Sequence, residues 1–323
     1  MPVQNNASKD NRGNIIFVPF AYAKQKQTGT NISQKEKSLE IYLKNASVAL
    51  ISARAQNPNC TVAFVTNLQI EQIDHTYLDL FQKNSIDVLH VPFDEFLVGD
   101  NCRWGLAFYK LCALSHLLEL EYQSYCWLDA DVWVQGSFDS IWEEAKHSIL
   151  LYDINHGLNT KSYKVLCDEV QAFTGKESYI THFGGEFFAG NHENTKVFIE
   201  RAKEVFAEMQ AKSFETSKGD EFITSIVASN MPRYIKNAGA YIFRFWTSTF
   251  RLVSTCYTHN KVLVLHVPDE KEIGMLKLFD CYIEKNKMPK EKQVWRLLGI
   301  SQPHYIKLLK IKFVILLSGG SKK

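Results

Sequence analysis

The 323-residue chain predicts an α/β fold, a parallel sheet covered by helices on both faces, and two observations carry that prediction. Short, apolar, β-branched runs alternate with longer segments of helical period through the first half of the chain. Apolar residues make up 46% and charged residues 22% of the sequence, globular proportions that exclude a disordered or fibrous protein.

Residues 1–13 are polar. Ile15–Phe20 is the first apolar run, short enough for a buried strand. Lys35–Arg54 sets Leu39, Tyr42, Leu43, Ala46 and Leu50 at helical spacing. Thr61–Thr66 predicts a second strand and Glu71–Lys83 a helix after it. Val88–Phe93 reads as a third strand, Trp104–Leu120 as a strong helix and Tyr125–Val134 as a fourth strand. After a strand at Ile149–Tyr152 the order becomes mixed, with helices at Lys196–Ala211 and Glu221–Ser229 and a late strand at Val262–His266. No repeat or low-complexity linker divides the chain. One domain over residues 1–283 and a tail over 284–323 is the expected division.

The net charge of +2 conceals an asymmetry. Residues 285–323 hold ten Lys and Arg against a single acid, Glu291, which is +9 and leaves −7 for residues 1–284. The near-neutral total argues against a general nucleic-acid binder, and no nucleic-acid partner is expected. Seven scattered cysteines without CxxC spacing read as reduced core thiols. The N-terminal residues have no apolar signal core, and no apolar run approaches the about 20 residues that span a bilayer. A cytoplasmic location is therefore expected.

The sharpest feature is Cys126-Trp127-Leu128-Asp129-Ala130-Asp131-Val132-Trp133-Val134. If this stretch is one strand, Asp129 and Asp131 share a face. Two carboxylates at the end of a buried strand repel unless a cation sits between them, and a hard divalent metal with oxygen ligands is the usual solution. A helix cap plus a surface acid is the plainer reading, and the apolar flanks disfavour it. With Gly136 and Phe138-Asp139-Ser140-Ile141-Trp142 behind it, Leu128-Asp129-Ala130-Asp131 resembles the DxD motif of nucleotide-sugar-dependent glycosyltransferases of the A-type fold. That resemblance implies a Rossmann-like A-type domain with a mixed, mostly parallel central sheet, and a metal, Mn²⁺ or Mg²⁺, held on the donor diphosphate. Asp131 would be the main ligand, and Asp129 would touch the metal or the donor ribose.

Other stretches resemble two retaining families, in the expected order. Arg103-Trp104, opening a helix with Lys110, is similar to the Arg-Trp helix of the retaining α-galactosyltransferases of the histo-blood-group family, and implies Arg103 and Lys110 near the donor. Gly184-Gly185-Glu186-Phe187-Phe188-Ala189-Gly190 resembles that family's glycine-rich segment, where backbone approaches the sugar; a tight turn before the next helix is the alternative. Gly219-Asp220-Glu221 resembles its acidic pair, implying Glu221 beneath the anomeric carbon and Asp220 on donor hydroxyls. Helix capping alone would also favour acids there. His266, followed by Gly274-Met275-Leu276-Lys277, resembles the His…Gly-x-x-Lys signature of the glycogenin-like family, in which His is the third metal ligand and Lys grips the diphosphate. The spacing is longer here and the Pro-Trp that follows in that family is missing.

The expected activity is thus hexosyl transfer, with UDP-galactose the favoured donor, retention of configuration, and a glycan or lipid-linked oligosaccharide as acceptor. An inverting enzyme with Glu221 or Asp220 as general base is the alternative. Tyr22, after the first strand, is a candidate to stack on uracil; His182, Glu186 and Trp246 are candidates for the acceptor side. A sugar-phosphate nucleotidyltransferase would carry a glycine-rich basic loop after the first strand, and Phe17-Val18-Pro19-Phe20-Ala21-Tyr22 offers none. A non-catalytic sugar-nucleotide binder would not need acids at 129, 131, 220 and 221. In the tail, Pro303–Leu317 mixes Tyr305, Leu308, Leu309, Ile311, Phe313 and Leu316 with Lys307, Lys310 and Lys312. Such a segment suits an amphipathic helix on an anionic membrane, the alternative being a helix docked on the domain. A peripheral enzyme of bacterial lipopolysaccharide or capsule assembly, on the cytoplasmic face of the inner membrane beside other assembly enzymes, is the expected setting.

Overall fold

The structure, a computed structural model, describes residues 12–23, 32–33, 35–99, 102, 104–155, 157–247 and 262–300. Its larger sheet has seven strands in the order β3-β2-β1-β4-β7-β6-β8. These are β1 (Arg12–Phe20), β2 (Thr61–Thr66), β3 (Asp87–His90), β4 (Tyr122–Leu128), β6 (Ile149–Asp153), β7 (Phe183–Asn191) and β8 (Ile235–Asn237). All neighbouring pairs are parallel except those of β7, which runs antiparallel to both β4 and β6. A second, three-stranded sheet joins β5 (Val132–Val134), β10 (Val264–His266) and β9 (Ile242–Arg244).

The strands alternate between two cores, one on each face, as a doubly covered sheet requires. Ile16, Val18, Val62, Phe64, Cys126, Leu128 and Phe187 point into the first, with helix α1 (Ser38–Gln56), α2 (His75–Lys83), the small sheet and α8 (Gly274–Lys285). Ile15, Phe17, Ala63, Val65, Tyr125, Trp127 and Phe188 point into the second, beneath α3 (Tyr109–Leu117), α5 (Lys161–Thr174), α6 (His192–Ala211) and α7 (Asp220–Asn230). α5, with Tyr163, Leu166, Val170 and Phe173 buried, adds a helix to the expected set. α2 starts later than expected because Asp74 caps it, accepting from Thr76 N at 2.8 Å.

Two expectations change. Tyr125–Val134 is not one strand: β4 ends at Leu128 and β5 begins at Val132, so Asp129–Asp131 form the turn between the two sheets. The alternative reading of Gly184-Gly185 as a tight turn is excluded. Both glycines lie inside β7, a strand buried from Phe183 to Gly190. In addition α9 (Glu291–Leu297), within the stretch expected to be tail, buries Val294 and Trp295 in the first core, and Trp295 Nε1 donates to Gln135 Oε1 at 3.0 Å. The packed body therefore extends to Ile300, which is itself buried. Residues 301–323, with the Pro303–Leu317 segment, lie outside the described residues. Among the described residues no helix is long and apolar enough to cross a membrane.

Candidate active site

The turn after β4 is fixed by its backbone. Asp129 N donates to Glu186 O on β7 at 3.1 Å, and Val267 N donates to Asp131 O at 3.0 Å, so the turn is held by both sheets. β5 pairs antiparallel with β10, which brings His266 opposite Val132. His266 Nε2 then lies 3.2 Å from Asp131 Oδ2 and 3.9 Å from Asp129 Oδ2. One donor atom from each of these three residues falls within 4.8 Å of the others. Two carboxylate oxygens and one imidazole nitrogen are a donor set that fits Mn²⁺ or Mg²⁺.

Glu186 stands behind the histidine, fully buried, its Oε1 3.2 Å from His266 Nδ1. A carboxylate on Nδ1 fixes the ring and leaves Nε2 facing Asp131. The same carboxylate forms a two-pronged pair with Arg244 on β9, at 2.6 Å to Nε and 2.5 Å to Nη2. Burial alone would raise the Glu186 pKa, but Arg244 and His266 outweigh it and hold the carboxyl well below its usual range. Glu186 is thus a supporting group rather than the expected acceptor contact.

Two lysines complete the cluster. Lys271 Nζ lies 2.8 Å from Asp131 Oδ2, and its backbone is pinned to α1 because Asn45 Nδ2 donates to Lys271 O at 3.0 Å. Burial disfavours an ionised Asp131, yet Lys271 and His266 reverse that and hold it well below the carboxylate range. His266 is likewise penalised by burial, and Asp131 pushes it up to about 9. Lys110, on α3, reaches Asp129 Oδ1 at 2.8 Å, Gly185 O at 2.8 Å and Asp220 Oδ2 at 3.6 Å. It is the link between the DxD turn and the acidic start of α7.

That helix opens on Gly219, whose φ of +62° suits glycine and whose Cβ would strike Trp104. Asp220 is 2% exposed, and its Oδ2 has no hydrogen-bond partner among the described residues. Burial pushes its carboxyl up to about 7; Lys110 works against that shift and Glu221 adds to it. Glu221 accepts from His182 Nε2 at 2.9 Å and lies 3.6 Å from Arg244 Nη2. Although burial opposes ionisation, His182 and Arg244 hold its pKa below the usual range. His182 is therefore a partner of Glu221, and its own exposure is 3%.

The two glycines make room for this network. A Cβ on Gly184 would overlap the Glu186 carboxylate, and one on Gly185 would stand 2.5 Å from Asp220 Oδ2 and 2.7 Å from Lys110 Nζ. The backbone expected to approach the sugar makes space for the charged side chains beside it. Tyr22 sits at the end of β1, tied to the end of β2 by two bonds with Asn67, and is half-buried. The Arg244 guanidinium lies 5.9 Å from the Trp246 ring centre, and Trp246, Pro268, Asp269, Lys271 and Glu272 line a cavity of about 320 Å³.

Two predicted donor contacts are not seen at the cluster among the described residues. Arg103 lies outside the described residues. Lys277 is exposed on α8, and the lysine at the cluster is Lys271. Gly274, the glycine that frames Lys277 in the sequence, serves packing: a Cβ there would stand 2.7 Å from Glu270 Oε2 and 2.7 Å from Leu297 O. Sequence reasoning missed Lys271 and Arg244. The available signal was a lysine five residues beyond His266 and an arginine just before Phe245-Trp246.

No protein-family model matches the chain, and no curated protein sequence matches it. Among solved structures, apo xyloside xylosyltransferase 1 from mouse is similar over 79% of this chain and 97% of that one, with a TM-score of 0.50 and 11% identity. An active-site mutant of LgtC is similar over 88% of this chain and 99% of that one, with a TM-score of 0.52 and 15% identity. At such identities the likeness is one of fold: this chain has the A-type glycosyltransferase fold.

Proposed function

We propose that this fold acts here as a metal-dependent glycosyltransferase, taking a hexose from a nucleotide sugar. The observation that carries the reading is the convergence of Asp129, Asp131 and His266 within 4.8 Å, linked through Lys110 to Asp220 and Glu221. Asp129, Asp131 and His266 would hold Mn²⁺ or Mg²⁺. Held there, such an ion would supply Lewis-acid stabilisation for a departing diphosphate. Lys110 and Lys271 add fixed positive charge at the same end of the sheet, where α/β folds take their ligands.

Glu221, ionised and with 23% of its side chain exposed, is the carboxylate we assign beneath the anomeric carbon. Fixed negative charge there stabilises the oxocarbenium-like centre, and this arrangement goes with retention of configuration. UDP-galactose is the favoured donor. Tyr22 is assigned to the uracil and Trp246 to the acceptor, a glycan or lipid-linked oligosaccharide. An inverting reaction is the second reading, favoured by the Asp220 carboxyl at about 7, a value suited to a general base. The 2% exposure of Asp220 places it less well for that role than Glu221. Residues 301–323 carry five lysines and no acid, and we assign them to an anionic membrane surface on the cytoplasmic side.

A Mn²⁺-dependent hydrolysis screen over UDP-, GDP- and CMP-sugars tests the reading, with Asp131→Ala as control. Turnover of one sugar nucleotide, lost in the variant, is expected; no turnover of any, or a fully active variant, would refute it. The anomeric signal of the released or transferred sugar distinguishes retention from inversion. Flotation with anionic liposomes, with and without residues 301–323, tests the membrane assignment; equal binding by both would sink it.

A further inference from the structure

We propose that Asp94, Cys112 and His116 form a second metal site, chemically distinct from the first, that takes a borderline divalent cation of the zinc class. Cys112 and His116 are four residues apart on α3 and share one of its faces. Asp94 comes from the segment between β3 and α3. Its Oδ1 lies 2.8 Å from His116 Nε2 and 3.8 Å from Cys112 Sγ, and the three donor atoms fall within 4.8 Å of one another. Tetrahedral zinc with bonds of about 2.0–2.3 Å sets its ligands about 3.3–3.8 Å apart; the sulfur contact of 3.8 Å lies at the upper end of that range, and the 2.8 Å hydrogen bond of Asp94 with His116 would open by about 0.5 Å to admit the ion.

Burial keeps the sulfur a thiol, while two backbone amides face it. Cys112 is fully buried, and burial pushes its thiol up to about 11; the backbone amides of Glu95 and Asp94 work the other way and favour the ionised form. Without a metal the thiol donates to Pro92 O at 3.3 Å. A divalent cation would supply the missing charge: the S–H bond breaks, a sulfur–metal bond forms, and the proton leaves to solvent. The Asp94 and His116 side chains are 55% and 25% exposed, so the site has an entry path and room for water as a fourth ligand. A thiolate and an imidazole select zinc-class ions over Mg²⁺, whereas the all-oxygen-plus-imidazole set of Asp129, Asp131 and His266 suits the harder ions. The bound ion would clamp the segment that precedes α3 onto the helix that presents Lys110 to Asp129. This site stands independently of the proposed transferase activity.

Cobalt titration of the full-length, chelator-stripped protein tests the proposal, because a thiolate ligand gives Co²⁺ a near-ultraviolet charge-transfer band that carboxylate sites lack. The band is expected in the wild type, bleached by added Zn²⁺, unchanged in Asp131→Ala and absent in Cys112→Ser. His116→Ala and Asp94→Asn, at partly exposed positions that leave the core intact, are expected to weaken Co²⁺ binding about tenfold or more. A wild type without the band, a band that survives Cys112→Ser, or unchanged affinity in both partly exposed variants would overturn it.

Discussion

The Lys271 ammonium lies 2.8 Å from Oδ2 of Asp131, closer than the 3.2 Å of His266 Nε2 to the same oxygen. A divalent cation on Asp131 must therefore share that carboxylate with a resident positive charge. Like charges about 4 Å apart repel by about 4 kcal/mol at an effective dielectric near 20. Lys271→Met is accordingly expected to tighten Mn²⁺ binding to the donor-free protein by about tenfold or more, read by electron paramagnetic resonance titration. Weaker binding in the variant would show that Lys271 holds Asp131 in place for the ion.

Glu186 is the most heavily committed carboxylate of the site, buried against Arg244 and His266 together. Glu186→Gln keeps its shape but leaves the Arg244 charge unpaired. Breaking a buried pair in this way costs about 3–5 kcal/mol. Urea denaturation is expected to show a loss of that order; a change below about 1 kcal/mol would mean that water compensates Arg244.

Asp220 sets a pH dependence of stability. Its carboxyl rises from 3.8 to about 7 on folding, so between those values the folded state binds the extra proton and stability falls as pH rises. Lys110, Glu221 and Asp129 are the charged groups that bear on it. Asp220→Asn removes the titration, and its stability relative to wild type is expected to improve by about 2–3 kcal/mol between about pH 5 and about pH 8. Parallel unfolding curves at both pH values would contradict this.

Gly185→Ala tests the space reserved for Lys110 and Asp220, since the new methyl would stand 2.5 Å from one and 2.7 Å from the other. Overpacking of this kind costs about 1–3 kcal/mol. A modest loss of thermal stability with a large loss of sugar-nucleotide turnover is expected. Full activity would mean that the network can shift without consequence.

The outer architecture was legible because β1, β2 and the first helices are long, locally coherent patterns. The DxD turn was legible too, since an apolar lead-in with two acids is rare outside a strand end. Its conformation was not: Trp127 and Trp133 look like one continuous alternation, yet the strand breaks between them because β5 pairs with β10 and not with the large sheet. Arg244 and Lys271 were hidden for a related reason. Each is a lone basic residue in or beside a three-residue strand, and only the long-range pairing of β9 and β10 shows which carboxylates they meet. Lys277 matched the Gly-x-x-Lys part of the signature despite the longer spacing after His266, but its glycine serves a helix contact.

The pairing of β5 with β10 has a consequence for how the protein acquires its site. Asp131 and His266 are 135 positions apart in the chain, and their meeting closes a long loop. Loop closure over such a span is slow, and its entropy must be met before any contact rewards it. During synthesis the β1–β4 half of the large sheet can form while β10 is still unmade. The polypeptide would then hold Asp129 and Asp131 without their histidine, without Arg244 and without Lys271. Competence for ion binding would arrive late and all at once, as the last third of the chain is threaded onto a finished scaffold.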